Sequence, residues 1–126
     1  MKYSIFLDDE RTISNVTWVP LPLREDYMIV RSFEAFKELV EKHGVPEFVS
    51  YDHDLASEHY GHGLDNDTIN YSKFRERTGY DCCQFLVRKC FEAGIPHPPY
   101  QVHSMNPVGA ENIRSYIESY HKISNF

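Results

Sequence analysis

The stretch EFVSYDHDL (Glu47–Leu55) decides how the rest of the chain is read. Its first half, Phe48 to Tyr51, is short and rich in aromatic residues, the composition of a buried strand. Its second half turns polar within one step, at Asp52, His53 and Asp54. A buried strand that stops in acids and a histidine is emerging at a sheet edge, and in α/β proteins the carboxyl ends of strands are where ligands bind.

The same form recurs on both sides. Tyr3 to Leu7 reads as a strand that stops at Asp8-Asp9, followed by Glu10 and Arg11; YMIVRS (27–32) reads as a second strand; YQVHS (100–104) ends in His103 and Ser104. Three helices alternate with them. In SFEAFKELVEKHG, Ser32 is the cap, Phe33, Phe36, Leu39 and Val40 make the apolar stripe, and Gly44 is the stop. In TGYDCCQFLVRKCFEAG, Thr78 and Asp81 fit a capping box and Phe85, Leu86, Cys90 and Phe91 follow the helical period up to Gly94. In NPVGAENIRSYIESYHK, Asn106 caps, Pro107 sits in the first turn, and Ile113, Tyr116, Ile117 and Tyr120 form the stripe. The stretch RTISNVTWVPLPLRED holds Pro20 and Pro22 and no clean period, so no helix is assigned there; Trp18 is expected as a core anchor.

Strands separated by helices predict a parallel sheet with right-handed crossovers and helices on both faces, an α/β three-layer sandwich with about four short strands. The chain has 126 residues, 41% of them hydrophobic, which suits one domain over 1–126. Residues 55–77 form a loop longer than is usual in compact domains. A net charge of -6 argues against binding duplex DNA or an anionic membrane through a basic face. Cys82, Cys83 and Cys90 form no CxxC pair and lie in an apolar helical segment, which predicts buried thiols and a cytoplasmic protein. No apolar run approaches the roughly 20 residues of a membrane span. Neighbouring strands lie about 4.8 Å apart. If the three polar strand ends are adjacent, their side chains share one small pocket.

IFLDDE, an Asp closing the third strand and a Ser closing the fourth resemble the response-regulator receiver domain. A receiver ends in a fifth, Lys-bearing strand and a fifth helix, whereas here one helix follows Ser104 and Lys122 lies in or after it. FLDDER, YDHDL, TGYD and VHSMNPVGAENI together resemble a receiver-derived family more closely, the cyclic-phosphate-processing receiver-like domains. That resemblance implies a truncated receiver or flavodoxin-like fold with strand order 2-1-3-4. It also implies a role at a 2′,3′-cyclic phosphate of a nucleotide or RNA end, while the receiver likeness implies Asp8 and Asp9 as holders of Mg²⁺, Asp52 as the central carboxylate and Ser104 at a phosphoryl oxygen.

The residues suit that chemistry. Clustered carboxylates raise one another's pKa unless a cation or a shared proton intervenes, so Asp8, Asp9, Asp52 and Asp54 point to Mg²⁺ or Mn²⁺. His53 and His103 could supply the base and the acid that opening a cyclic phosphodiester requires. They could instead join the carboxylates as metal ligands, which would admit Zn²⁺. Ser104, Asn106 and the backbone around Gly109 form a strand–turn–helix start suited to an anion, and Thr78 opens a second helix in the same way. Asn106 and Thr78 also fit as ordinary helix caps, and Asp8 or Asp9 as a cap of the segment that follows. Arg11 could grip phosphate or neutralise the acidic pair. In the long loop, Lys73, Arg75 and Arg77 are candidates for phosphate contact, Tyr60 and Tyr71 for stacking, and His59 with His62 is a weak metal signal. Two other functions fit the same residues: a receiver-like switch phosphorylated on Asp52, and a nucleotide-binding module without turnover. Oligomeric state is not legible.

Overall fold

The structure, a computed structural model, describes residues 2–55 and 77–126. Along the chain run β1 (Ser4–Leu7), β2 (Tyr27–Val30), α1 (Phe33–His43), β3 (Phe48–Tyr51), α2 (Gly79–Ala93), β4 (Tyr100–Val102) and α3 (Pro107–Ser124). The sheet is parallel with the order β2-β1-β3-β4, as expected from the sequence. The helices begin where their caps predict. Ser32 Oγ accepts the Ala35 N–H at 3.2 Å, Thr78 and Asp81 cap one another's backbone, and Asn106 Oδ1 accepts the Gly109 N–H at 2.9 Å. Gly44 (φ 84°) and Gly94 (φ 70°) stop α1 and α2 in left-handed conformations that a side chain disfavours.

The sheet's two faces are covered differently. α1, α2 and α3 pack side by side over Tyr3, Ile5, Leu7, Val49, Tyr51 and Val102, with the free thiols of Cys82, Cys83 and Cys90 buried between. Residues of the alternate parity, Phe6 and Ser50 among them, point the other way and are equally buried. The β1–β2 connection carries a 3₁₀ turn at Ile13–Asn15 and no longer helix. It is fastened at the β4 edge, where Gln101 Nε2 donates to the Pro20 carbonyl at 3.1 Å. Among the described residues, the three helices thus lie on one face of the sheet, and the β1–β2 connection is largely irregular chain.

Two expected core residues sit elsewhere. Trp18 is 38% exposed, because its indole N–H reaches out to the His103 carbonyl at 2.8 Å and so keeps the ring near the surface. Phe91 is 69% exposed: α2 directs Cys82, Cys83, Leu86, Val87 and Cys90 inward, which turns the next position about 100° away from the sheet. Most of the long loop, with Lys73, Arg75, Tyr60, Tyr71, His59 and His62, lies outside the described residues. Arg77 at its end stacks on the Phe33 ring at 4.8 Å. No helix of the described residues is long and apolar enough to cross a membrane.

Candidate functional site

Strand register assembles the site. Leu7 pairs with Tyr51, and Tyr51 with Val102, so the residues one step further, Asp8, Asp52 and His103, stand in a row. The ladder continues through them: Asp52 N–H donates to the Leu7 carbonyl (3.0 Å) and His103 N–H to the Tyr51 carbonyl (2.9 Å). All three share the parity of Phe6 and Ser50 and point away from the helices. One ligand atom from each lies within 4.8 Å of the others, and all three residues are buried.

Asp8 is tied down on both oxygens. Oδ1 accepts the backbone N–H groups of Glu10 (2.9 Å) and Arg11 (2.8 Å), while Oδ2 meets His103 Nε2 at 3.0 Å and the Arg11 guanidinium at 3.6 Å. Burial would raise its carboxyl, but the hydrogen bonds from His103 and the two amides outweigh burial and hold it well below the usual range. Capping and site chemistry thus fall on one carboxylate. Asp52 goes the opposite way. Burial first, then the charges of Asp8 and Asp9, push its carboxyl up to about 7. His103 is wholly buried, stacked on Phe6 (centroids 4.6 Å apart, planes 5° apart), with Nδ1 2.6 Å from Ser50 Oγ.

Above this floor opens a cleft of about 530 Å³, walled by Asp9, Arg11, Asp52, Asp54, Met105 and Asn106 among others. Arg11 lies across the Trp18 ring at 5.2 Å and donates to Met105 Sδ at 3.7 Å, which holds its guanidinium at the rim. On the opposite wall Asp54 accepts from Asn106 Nδ2, 3.3 Å to each oxygen, and pairs with His53 Nδ1 at 2.9 Å. Ser104 Oγ accepts the Asn106 N–H at 3.0 Å.

The two histidines expected to work as a pair occupy different settings. His103 lies in the floor with both ring nitrogens engaged, whereas His53, of opposite parity, turns toward α3. There Gly109 makes room for it: a Cβ at that position would lie 2.3 Å from His53 Cγ. Gly79 serves the same strand end. Its N–H donates to the His53 carbonyl at 2.8 Å, and a Cβ there would stand 1.7 Å from the Asp52 carbonyl oxygen. Thr78 uses its hydroxyl to cap α2, the ordinary alternative for that residue. Asn106 both caps α3 and holds Asp54. Sequence reasoning missed Ser50 and Met105, and preferred a core anchor to a stacking platform for Trp18, the ring that lies under Arg11. Ser50 alone carried a usable signal, a hydroxyl two residues before Asp52 and therefore on its face.

The family model of the cyclic-phosphate processing Receiver domain matches residues 3–119. Comparisons with curated proteins and with solved structures gave no match. The chain belongs to the cyclic-phosphate processing Receiver domain family.

Proposed function

From that membership we propose that the protein is a phosphoesterase-type enzyme. Its substrate would be a cyclic phosphate, the 2′,3′-cyclic phosphate of a nucleotide or RNA end, opened with the help of a divalent cation. The observation that carries this reading is the trio Asp8, Asp52 and His103, with ligand atoms within 4.8 Å, together with an Asp52 carboxyl raised to about 7, first by burial and then by the charges of Asp8 and Asp9. Such a cluster stores repulsion that a cation relieves. Two carboxylate oxygens suit Mg²⁺ or Mn²⁺, whereas Zn²⁺ would need the His103 imidazole to give up its hydrogen bond to Asp8. Asp8 and Asp52 would hold the ion, with Asp9 at the rim adding negative charge or an ordered water. When bound, the ion would polarise a phosphoryl oxygen and neutralise its charge.

The remaining steps belong to side chains. Arg11, placed over the Trp18 ring at 5.2 Å, offers a planar donor fork to a phosphoryl oxygen. Ring opening transfers one proton from the attacking water and returns one to the departing ribose oxygen as the P–O bond breaks, leaving a phosphomonoester. His53, bonded to the cleft-lining carboxylate of Asp54, is the proton carrier of this reading. His103, whose burial removes it from the substrate and whose ring nitrogens meet Ser50 and Asp8, is a support for Asp8 rather than the second acid. Asn106 and Ser104 orient the Asp54 wall, Gly109 and Thr78 act through the packing of His53 and α2, and Lys73 is left as a candidate phosphate contact. The setting would be cytoplasmic, with no membrane or duplex DNA as partner.

The test is incubation with Mg²⁺ or Mn²⁺ and a panel of 2′,3′-cyclic nucleotides and RNA oligonucleotides ending in a cyclic phosphate, following phosphomonoester formation. Turnover is expected in the wild type and lost in Asp52→Asn and His53→Gln. Absence of ring opening across the panel would overturn the enzyme reading, and unaltered ligand that raises the melting temperature would favour a binding module.

A further inference from the structure

The strand that delivers Asp52 carries a hydroxyl that the proposed reaction does not use. Ser50 is fully buried, and its Oγ lies 2.6 Å from His103 Nδ1. His103 Nε2 lies in turn 3.0 Å from Asp8 Oδ2. Ser50 on β3, His103 just past β4 and Asp8 just past β1 thus form a hydrogen-bonded line from the sheet's interior to the cleft floor. Phe6 fixes the plane of the ring from below.

The direction of the hydrogens follows from the partners. A carboxylate accepts only, and Asp8 already receives two backbone N–H groups on Oδ1. His103 Nε2 must therefore carry the hydrogen that points at Oδ2. In the neutral imidazole this leaves a lone pair on Nδ1, and the group facing it is a hydroxyl able to donate. We propose that Ser50 is a positioning residue: its O–H donates to His103 Nδ1, fixes the Nε2–H tautomer and the ring's orientation, and through the ring sets the buried Asp8 carboxylate beside Asp52, which lines the cleft. The consequence for a cation rests on the reading given under Proposed function, whereas the tautomer does not. Partners of this kind, one bond removed from a metal-binding group, typically change metal affinity about 10–100-fold when removed.

The side-chain ¹⁵N–¹H correlation spectrum of metal-free, ¹⁵N-labelled protein reads the tautomer directly. Wild-type His103 is expected with hydrogen on Nε2 and an acceptor signature at Nδ1. In Ser50→Ala that signature is lost and the Glu10 and Arg11 amide resonances, which report on Asp8 Oδ1, shift. Ser50→Cys, similar in size and a weaker donor, falls between. Mn²⁺ affinity weakens about 10-fold or more in Ser50→Ala. A wild-type His103 with its hydrogen on Nδ1 overturns the proposal whether or not the variants fold. Unmoved Glu10 and Arg11 amides in a folded Ser50→Ala protein overturn it as well. Failure of the wild type to bind Mn²⁺ would remove the cation reading, while the tautomer and the amide shifts still decide this one.

Discussion

Replacing Asp52 with Asn tests whether the strand-end acids strain the fold by their own charge. Asp52 is 4% exposed, and its carboxyl is pushed up to about 7, first by burial and then by Asp8 and Asp9. An unfolded chain releases the same proton near pH 4, roughly the reference value for Asp. Between these values the folded protein holds more protons than the unfolded one, so stability falls as pH rises, by about 1.4 kcal/mol per unit. Over about three units the loss is roughly 4 kcal/mol, complete above pH 7 and absent below about pH 4. That is a large share of the roughly 5–15 kcal/mol that holds a typical domain together. Asp8 contributes with the opposite sign: its hydrogen bonds favour the charged form, so its contribution is present above about pH 4 and lost as pH falls. Asn at position 52 keeps the shape and removes the charge. In EDTA at about pH 8 the variant should be more stable than wild type by roughly 2–4 kcal/mol, and at about pH 4 the two should converge. Urea unfolding at both pH values measures this, and added Mn²⁺ should stabilise wild type while leaving the variant unaltered. A variant less stable than wild type at about pH 8 in EDTA, or parallel pH slopes for the two proteins, would refute the reasoning.

Gly79→Ala would place a methyl 1.7 Å from the Asp52 carbonyl oxygen, so α2 must retreat from the end of β3. A loss of about 1–3 kcal/mol or more is expected in urea unfolding. His97, buried against Tyr51 with its imidazole lowered to about 4 chiefly by burial, stays neutral in the fold while the unfolded chain takes up a proton near pH 6.5. Stability should therefore fall by about 3 kcal/mol as pH drops from about 6.5 to about 4, and His97→Gln should flatten that limb in pH-dependent unfolding. Acetyl phosphate with Mg²⁺ should leave the intact mass unaltered, because Lys122 stands on α3 rather than at a strand end beside Asp52; a phosphoryl adduct on Asp52 would instead establish the switch reading.

Much of the fold was legible because its signals are local. The caps Ser32, Thr78 and Asn106 and the stops Gly44 and Gly94 mark the helices, and the short strands announce themselves by where they turn polar. That Asp8, Asp52 and His103 share one level could be expected from three strand ends. Which face each side chain takes needed the register. Parity separates His53 from His103, and depth then divides them further, one against Gly109 and one beneath the cleft. Ser50 read as core, and it is core, but a period-2 pattern gives no hint that an imidazole from another strand will sit 2.6 Å away. Trp18 was out of reach for a related reason. Its partner is a carbonyl 85 positions along the chain, and nothing in its own neighbourhood encodes that contact.

The irregular β1–β2 connection bears on how the molecule breathes. A helix carries its own ladder, so it leaves its neighbours as a unit; the β1–β2 connection is fastened instead by scattered bonds, from Trp18 to the His103 carbonyl, from Gln101 to Pro20 and from Arg31 to the Arg11 carbonyl. Releasing those few bonds wets the floor of the cleft without melting the helical side. The amides of Asp52 and His103 should then exchange with solvent through this local opening, faster than those in the middle of α2. An anion gripped by Arg11 should slow them by holding the connection shut.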